Sequence, residues 1–291
     1  MKIDGRKIAA DILKSLKTDV GKLKRKRIQP HLVAVLVGSD SGSLSYVSQK
    51  SKAARIIGAK VTIHRFDKIP LYQSIAEFIS GLNQDPKVHG VIIQRPLPPS
   101  LSAGALNKIV SVNKDVDGFL DKSPFEPPIG VAVFKLLGHI YYRQLKKTSM
   151  PRDDFSKSLV NWLKNKQIVL LGHGETGGQP VSQTLNTCNI PFIVLNSTVE
   201  NKDEYLKDAD IVISAVGKPN MIKAEMIKPG CILLGIGVHR GDKTGIVGDY
   251  DEKAVDPVAG FYTSTPGGMG PVNVACLLQN LITAAKMQKR G

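Results

Sequence analysis

The feature that most constrains this chain lies at its centre. Gly172-His173-Gly174-Glu175-Thr176-Gly177-Gly178 follows directly on an apolar, strand-like segment at 167–172. A strand that ends in this glycine pattern and leads into a helix is a dinucleotide fingerprint. The first glycine permits a tight turn and the second lets backbone approach a pyrophosphate. The third lets the helix pack on the sheet, with its N-terminus facing the phosphates. Gly172, His173, Gly174, Thr176 and Gly177 are therefore candidate cofactor residues. The plainer alternative is a structural glycine turn in a fold that has lost its cofactor.

The rest of the chain supplies the alternation such a turn requires. Ile8, Ile12, Leu16, Val20 and Leu23 recur at three- and four-residue steps, which predicts a helix over 4–23. The valine-rich run 31–38 reads as a strand buried on both faces. A helix at 45–57, a strand at 61–66, a helix at 74–82 and a strand at 88–94 follow. This β-α-β-α-β order argues for a parallel sheet with crossover helices. Residues 96–99 and 113–129 read as loop, a helix opens near Pro128, and 146–154 is polar and irregular. A second alternating unit has strands at 167–172, 192–195, 211–216 and 231–235, and an apolar helix at 272–287 closes the chain. The expected fold is two-domain α/β, an N-terminal three-layer unit and a Rossmann-like unit with a parallel sheet.

Composition sets the class of protein. At 291 residues, 42% apolar and 22% charged, the chain reads as a globular protein with room for two cores. Its first residues are charged where a signal peptide is apolar, and its apolar runs are strand-sized, so a cytoplasmic, non-membrane protein is expected. Cys188, Cys231 and Cys276 are far apart, with no Cys/His cluster, so neither disulfides nor a metal is expected. The formal charge of +15 fits either nucleic acid or anionic small molecules. Basic clusters at 22–27 and 143–147 carry no interleaved aromatics, and aromatics are 5% of the chain, which argues against a platform for stacked bases.

A second constellation lies in the first half. Tyr46 and Lys50 share one face of the helix expected at 45–57. Gln94 ends a buried strand beside Arg95, and Asp117 sits in the turn-like Lys114-Asp115-Val116-Asp117-Gly118-Phe119. Strand ends of an open α/β sheet are where ligands collect. A lysine, an amide, a phenol and a carboxylate arriving there could hold a polar heterocycle. Singly each has a plain reading: a core-edge tyrosine, a solvated helix lysine, an aspartate bonding its own turn.

These residues also carry a resemblance. Ser45-Tyr46-Val47-Ser48-Gln49-Lys50 resembles the tyrosine–lysine helix of the bifunctional methylenetetrahydrofolate dehydrogenase/cyclohydrolase family. Leu82-Asn83-Gln84-Asp85 with Val91-Ile92-Ile93-Gln94-Arg95-Pro96-Leu97-Pro98 is similar to its first long signature, with arginine where leucine is usual. Lys114–Phe119 resembles its KDVDG motif and Pro266-Gly267-Gly268-Met269-Gly270-Pro271 its PGGVGP loop. The resemblance runs in order over nearly the whole chain.

It implies a one-carbon enzyme acting on tetrahydrofolate derivatives. NADP, or NAD, takes hydride from 5,10-methylenetetrahydrofolate, and the methenyl product is hydrolysed to 10-formyltetrahydrofolate. Lys50 would be the general acid/base, Gln94 its positioning partner, Tyr46 the residue against the folate ring, and Asp117 the acceptor for the pterin. Pro266, Gly267 and Gly268 would lie near substrate, and Ser197, Val216, Gly237 and Val238 near the cofactor. The implied domains are 1–127 completed by 271–291, for folate, and 128–270, for the dinucleotide, in a homodimer.

The departures gather on the cofactor side. The family's Gly-Arg-Ser is Gly172-His173-Gly174 here, and its His-Ser-Arg-Thr is Asn196-Ser197-Thr198-Val199. The second strand of the dinucleotide unit ends without an acid, which leans toward NADP, yet without an arginine for a 2′-phosphate. Two alternatives follow: a cyclohydrolase with a weakened or NAD-shifted dehydrogenase, and a basic nucleic-acid-binding protein on a retired enzyme fold. His173 reads equally as a neighbour of the 2′-phosphate or as a cap on the turn. Arg95 reads as a contact to folate or Lys50, or as a structural ion pair.

Overall fold

A computed structural model of the chain describes residues 1–145, 155–241 and 245–288, so the irregular stretch expected at 146–154 lies outside the described residues. The chain forms two compact units. One holds Ala10–Pro128 and the chain from Val274 onward; the other holds Met1–Ala9 and Ile129–Asn273. In chain order the first half contains β1 (Lys2–Ile3), α1 (Gly5–Arg25), β2 (His31–Val37), α2 (Ser41–Ile57), β3 (Lys60–Phe66), α3 (Tyr72–Gln84), β4 (Gly90–Ile93) and α4 (Ala103–Asn107). The second half contains α5 (Pro128–Gln144), α6 (Lys157–Lys164), β5 (Ile168–Leu171), α7 (Gly178–Thr187), β6 (Ile193–Leu195), α8 (Lys202–Asp208) and β7 (Ile211–Ser214). It continues through β8 (Ile232–Gly235), β9 (Val238–Gly241), β10 (Gly245–Gly248), α9 (Glu252–Val255), β11 (Phe261–Thr263) and α10 (Met269–Met287).

The unit around Ala10–Pro128 is built on a three-stranded parallel sheet in the order β3-β2-β4. Side chains of a strand alternate between faces. On β2, Leu32 and Ala34 join Leu16, Val20 and Leu23 of α1, Val47, Ala54 and Ile57 of α2, and Leu277, Leu278 and Leu281 of α10. Val33, Val35 and Val37 pack oppositely, against Ile75 and Ile79 of α3 and Leu106 of α4. Helices therefore cover both faces, giving three layers, and this is why β2 reads as an unbroken apolar run.

Helix α2 starts earlier than the apolar pattern suggests. The Asp40 carboxylate accepts from the Ser43 amide at 2.7 Å, an N-cap that lets the weak helix former Ser41-Gly42-Ser43 open the helix. The polar segment before β5 also hides α6, held by buried Leu159 and Leu163.

The other unit carries a six-stranded sheet in the order β1-β11-β8-β7-β5-β6, with every pair parallel. From β5 the chain turns to β6 on one side and to β7 on the other, so the end of β5 is a topological switch point. The strand β1 pairs Lys2 with Tyr262 and Ile3 with Thr263, closing this second sheet rather than the first. Two residues are too short to show a period, which is why the sequence left Met1–Ile3 with the first domain.

Candidate active site

Four of the residues singled out in the sequence converge in the first unit. Tyr46 and Lys50 lie a turn apart on α2, and the Lys50 amine sits 5.1 Å from the Tyr46 ring centre. Lys50 is only 6% exposed, and its Nζ donates to Gln94 Oε1 at 3.0 Å. Gln94 follows β4, where its backbone amide donates to Val35 O at 2.8 Å and so continues the sheet. Its side-chain Nε2 donates to Arg95 O at 2.8 Å, which aims Oε1 at the lysine. Ser43 Oγ donates to the same carbonyl at 3.1 Å, tying the start of α2 to the end of β4.

Asp117 stands half-buried in the loop after β4 and α4. Two residues that the sequence did not single out hold this loop. The Asp115 carboxylate accepts from the amides of Leu120 at 2.9 Å and Phe119 at 3.3 Å. Asn280, on α10, donates to Val116 O at 2.9 Å and to Glu126 O at 3.0 Å. Nothing local marks Asn280, because the contact spans 164 residues of chain. The Arg95 guanidinium stacks over Phe119, 4.3 Å from the ring centre.

Electrostatics give these groups their chemistry. Burial lowers the pKa of Lys50, and the charge of Asp117 pulls the other way. Burial likewise raises Asp117, against the opposing charges of Lys50 and Arg95. Asp115 is pushed up to about 6 by burial, although the backbone amides it accepts work against the shift. A desolvated lysine is easier to deprotonate, so its amine can take a proton from water and return it. Asp117, where the charges of Lys50 and Arg95 oppose the upward push of burial, is in its ionised form an acceptor for N–H groups of a heterocycle.

The cofactor-side candidates begin at the end of β5. Gly172 has φ +89°, and a Cβ there would lie 2.7 Å from Ala215 O. The close helix-to-strand approach falls at Gly178, where a Cβ would run into Gly172 O. At Gly177, the position expected for it, a Cβ would meet only side-chain atoms of Ala215 at 3.2 Å and Ile236 at 3.4 Å. His173, Gly174 and Thr176 are exposed, Val216 is half-buried, Gly237 is buried and Val238 is exposed. The backbone turn at the head of the ten-residue helix α7 leaves open space at Gly174, a cradle that suits a phosphate-bearing dinucleotide.

Ser197 is exposed just beyond β6. The adjacent Asn196 Oδ1 accepts from Thr198 N at 3.0 Å and Thr198 Oγ1 at 2.6 Å. Lys202 Nζ donates to Ser197 O at 3.4 Å. This cation was missed in the sequence because it belongs to the next helix. Asn201, at φ 54°, turns the chain just before it.

Pro266, Gly267 and Gly268 lie in the second unit, unlike the lysine quartet, and lead into α10. Pro266 is exposed, while Gly267 (φ +111°) and Gly268 are buried. Among the described residues no group of three His, Cys, Asp or Glu side chains could hold a metal ion, and no helix is long and apolar enough to cross a membrane.

Comparison with known proteins gives consistent matches. The family described as tetrahydrofolate dehydrogenase/cyclohydrolase, catalytic domain, matches residues 3–117. Its NAD(P)-binding domain matches residues 155–289. The bifunctional protein FolD of Bacillus velezensis is 34% identical over 285 residues, covering 98% of this chain and 97% of that protein. The bifunctional methylenetetrahydrofolate dehydrogenase/cyclohydrolase of Campylobacter jejuni superposes with a TM-score of 0.86 at 28% identity, over 99% of each chain. The Trypanosoma brucei methylenetetrahydrofolate dehydrogenase-cyclohydrolase, solved with NADP and an inhibitor, gives a TM-score of 0.88 at 27% identity, over 100% of this chain and 99% of that one.

Proposed function

The chain belongs to the tetrahydrofolate dehydrogenase/cyclohydrolase family, and from that premise we propose how its residues divide the work. It is a bifunctional folate enzyme that oxidises 5,10-methylenetetrahydrofolate to the methenyl form and hydrolyses that form to 10-formyltetrahydrofolate. A nicotinamide dinucleotide bound to the second unit supplies the hydride acceptor.

Lys50 is the general acid/base of the hydrolysis. Water adds to the methenyl carbon as the Lys50 amine takes its proton. That proton then goes to the ring nitrogen as its bond to the carbon breaks, while the new hydroxyl gives its remaining proton to solvent as the formyl C=O forms on the other nitrogen. The observation that carries this reading is a buried amine that donates to a neutral amide oxygen, Gln94 Oε1. Burial makes deprotonation easier, and Gln94 fixes where the lone pair points. Tyr46 lies against the folate ring, and Asp117 accepts from the pterin amino and amide groups. Pro266, Gly267 and Gly268 contact the substrate through backbone.

On the cofactor side Gly172, His173, Gly174, Thr176, Gly177, Val216, Gly237 and Val238 hold the dinucleotide. Ser197 and Lys202 receive the adenosine end, and a lysine beside Ser197 supports NADP over NAD. The folate domain is 1–127 with 271–291 and the dinucleotide domain 128–270, with Met1–Ile3 lending a strand to the latter. The enzyme works as a cytoplasmic homodimer.

A paired assay of wild type and Lys50→Met tests this. Hydrolysis of the methenyl substrate falls by about 10²–10⁴-fold, the usual contribution of a positioned acid/base, while dinucleotide-linked oxidation persists. Undiminished hydrolysis by the variant overturns the role of Lys50.

A further inference from the structure

One buried carboxylate has no part in the chemistry above. Asp249 is 0% exposed and follows β10. Its Oδ1 accepts from Gly217 N at 2.7 Å and Lys218 N at 3.1 Å. Its Oδ2 accepts from Val216 N at 3.1 Å and from Ser214 Oγ at 2.5 Å. Gly237, in the turn after β8, lies so close that a Cβ there would strike both Asp249 oxygens and Gly217 N. One side chain, on the segment that follows β10, thus meets the loops at the carboxyl ends of β7 and β8.

Successive backbone amides converging on one point form a nest, the structure that binds phosphate in many nucleotide sites. Here the anion already in the nest is the protein's own. We propose that Asp249 is a positioning residue for the dinucleotide: it saturates the amides of Val216, Gly217 and Lys218 and holds this loop as a fixed wall. Three consequences follow. The loop after β7 donates nothing to a phosphate, so phosphate binding falls to the turn at Gly172–Gly178. The wall's shape depends on a group with no contact to the ligand. Emptying the nest also creates a misplaced anion site beside the true one. The inference rests on the reading of Val216 and Gly237 as cofactor neighbours.

The test uses the full-length enzyme and two readouts besides dehydrogenase activity. In the apoprotein, Asp249→Ala speeds hydrogen–deuterium exchange in peptides spanning 214–218. Titration with NADP, followed by fluorescence, shows affinity at least about tenfold weaker, consistent with loss of several charged hydrogen bonds. Hydrolysis of methenyl substrate stays within about twofold, which doubles as the check that the protein is folded. Millimolar formate, against an equal concentration of chloride, restores both exchange protection and NADP affinity by refilling the nest. Should Asp249→Ala not fold, Ser214→Ala removes one donor only and is read the same way, with a smaller but measurable loss of NADP affinity. Unchanged NADP affinity in a folded Asp249→Ala or Ser214→Ala overturns the proposal, as does weakened affinity that formate does not restore in Asp249→Ala. Failure of the wild type to bind NADP at all instead overturns the assignment of the cofactor site.

Discussion

The lysine quartet and the dinucleotide turn solve different problems with different parts of the chain. In the proposed reading, side chains carry the chemistry around Lys50. The amine is buried, its partner amide is tied to the backbone, and the carboxylate opposite feels the charges of Lys50 and Arg95 against its own burial. At the end of β5 the main chain shapes the proposed cradle, with an open turn, a helix N-terminus and glycines in close approach. The contrast explains where this chain keeps the family's pattern and where it departs. A side chain that moves a proton has few substitutes. A backbone amide offers the same hydrogen whatever residue bears it, so Gly-Arg-Ser can become Gly172-His173-Gly174 while the cradle survives.

That comparison breaks most readily at Gly178. An alanine there collides with Gly172 O, and overpacking of this kind costs about 1–3 kcal/mol, roughly five- to 150-fold if expressed in cofactor affinity. Hydrolysis is expected to continue, since Lys50 and Gln94 lie in the other unit. Joint loss of both activities in soluble Gly178→Ala would show that the regions are not separable.

Lys202→Ala asks whether one side chain matters on the backbone side. A roughly threefold to tenfold rise in KM for NADP is expected, in line with loss of a partly exposed charged contact, with KM for NAD unmoved. An equal change for both cofactors would remove Lys202 from the 2′-phosphate.

Arg95→Leu sharpens the other half. Arg95 and Lys50 both hold down the pKa of Asp117 against burial. A carboxylate that binds substrate only when ionised loses that binding as pH falls through its pKa. Removing one cation raises that pKa, so the acid limb of kcat/KM for folate moves to higher pH, with the alkaline plateau little changed. An acid limb that stays put, or moves lower, detaches Arg95 from Asp117.

The smallest effect is expected at Asp115, whose pKa is pushed up to about 6. The folded state holds this proton more tightly than the unfolded chain. Its contribution to stability is therefore greatest at low pH and declines as pH rises from about 4 through 6. Asp115→Asn removes that slope and costs about 1 kcal/mol at neutral pH, because its amide cannot accept from one of the two amides. Melting curves between pH 4 and 7 with an unaltered slope would refute the assignment.

How much of this was legible depended on distance along the chain. The strands β2, β4, β5 and β7 announced themselves as apolar runs because helices or neighbouring strands bury them. Tyr46 and Lys50 were readable through helical spacing, and Gln94 through its place at a strand end. Asn280 and Asp249 were not. Each acts on backbone atoms brought close only by the finished fold, and no local pattern marks them. The third-glycine role also moved, from Gly177 to Gly178, because the pattern fixes spacing but not which residue opens the helix.

The contact from Asn280 to the loop of Asp117 has a further consequence, in time. Residues 10–128 leave the ribosome well before α10, yet their core lacks Leu277, Leu278 and Leu281 until that helix arrives. Domains tend to fold as units during synthesis. Here the unit bearing Lys50 cannot close until the intervening dinucleotide unit has been made. A ribosome stalled in the second half therefore yields no stray hydrolase: the two activities are born together.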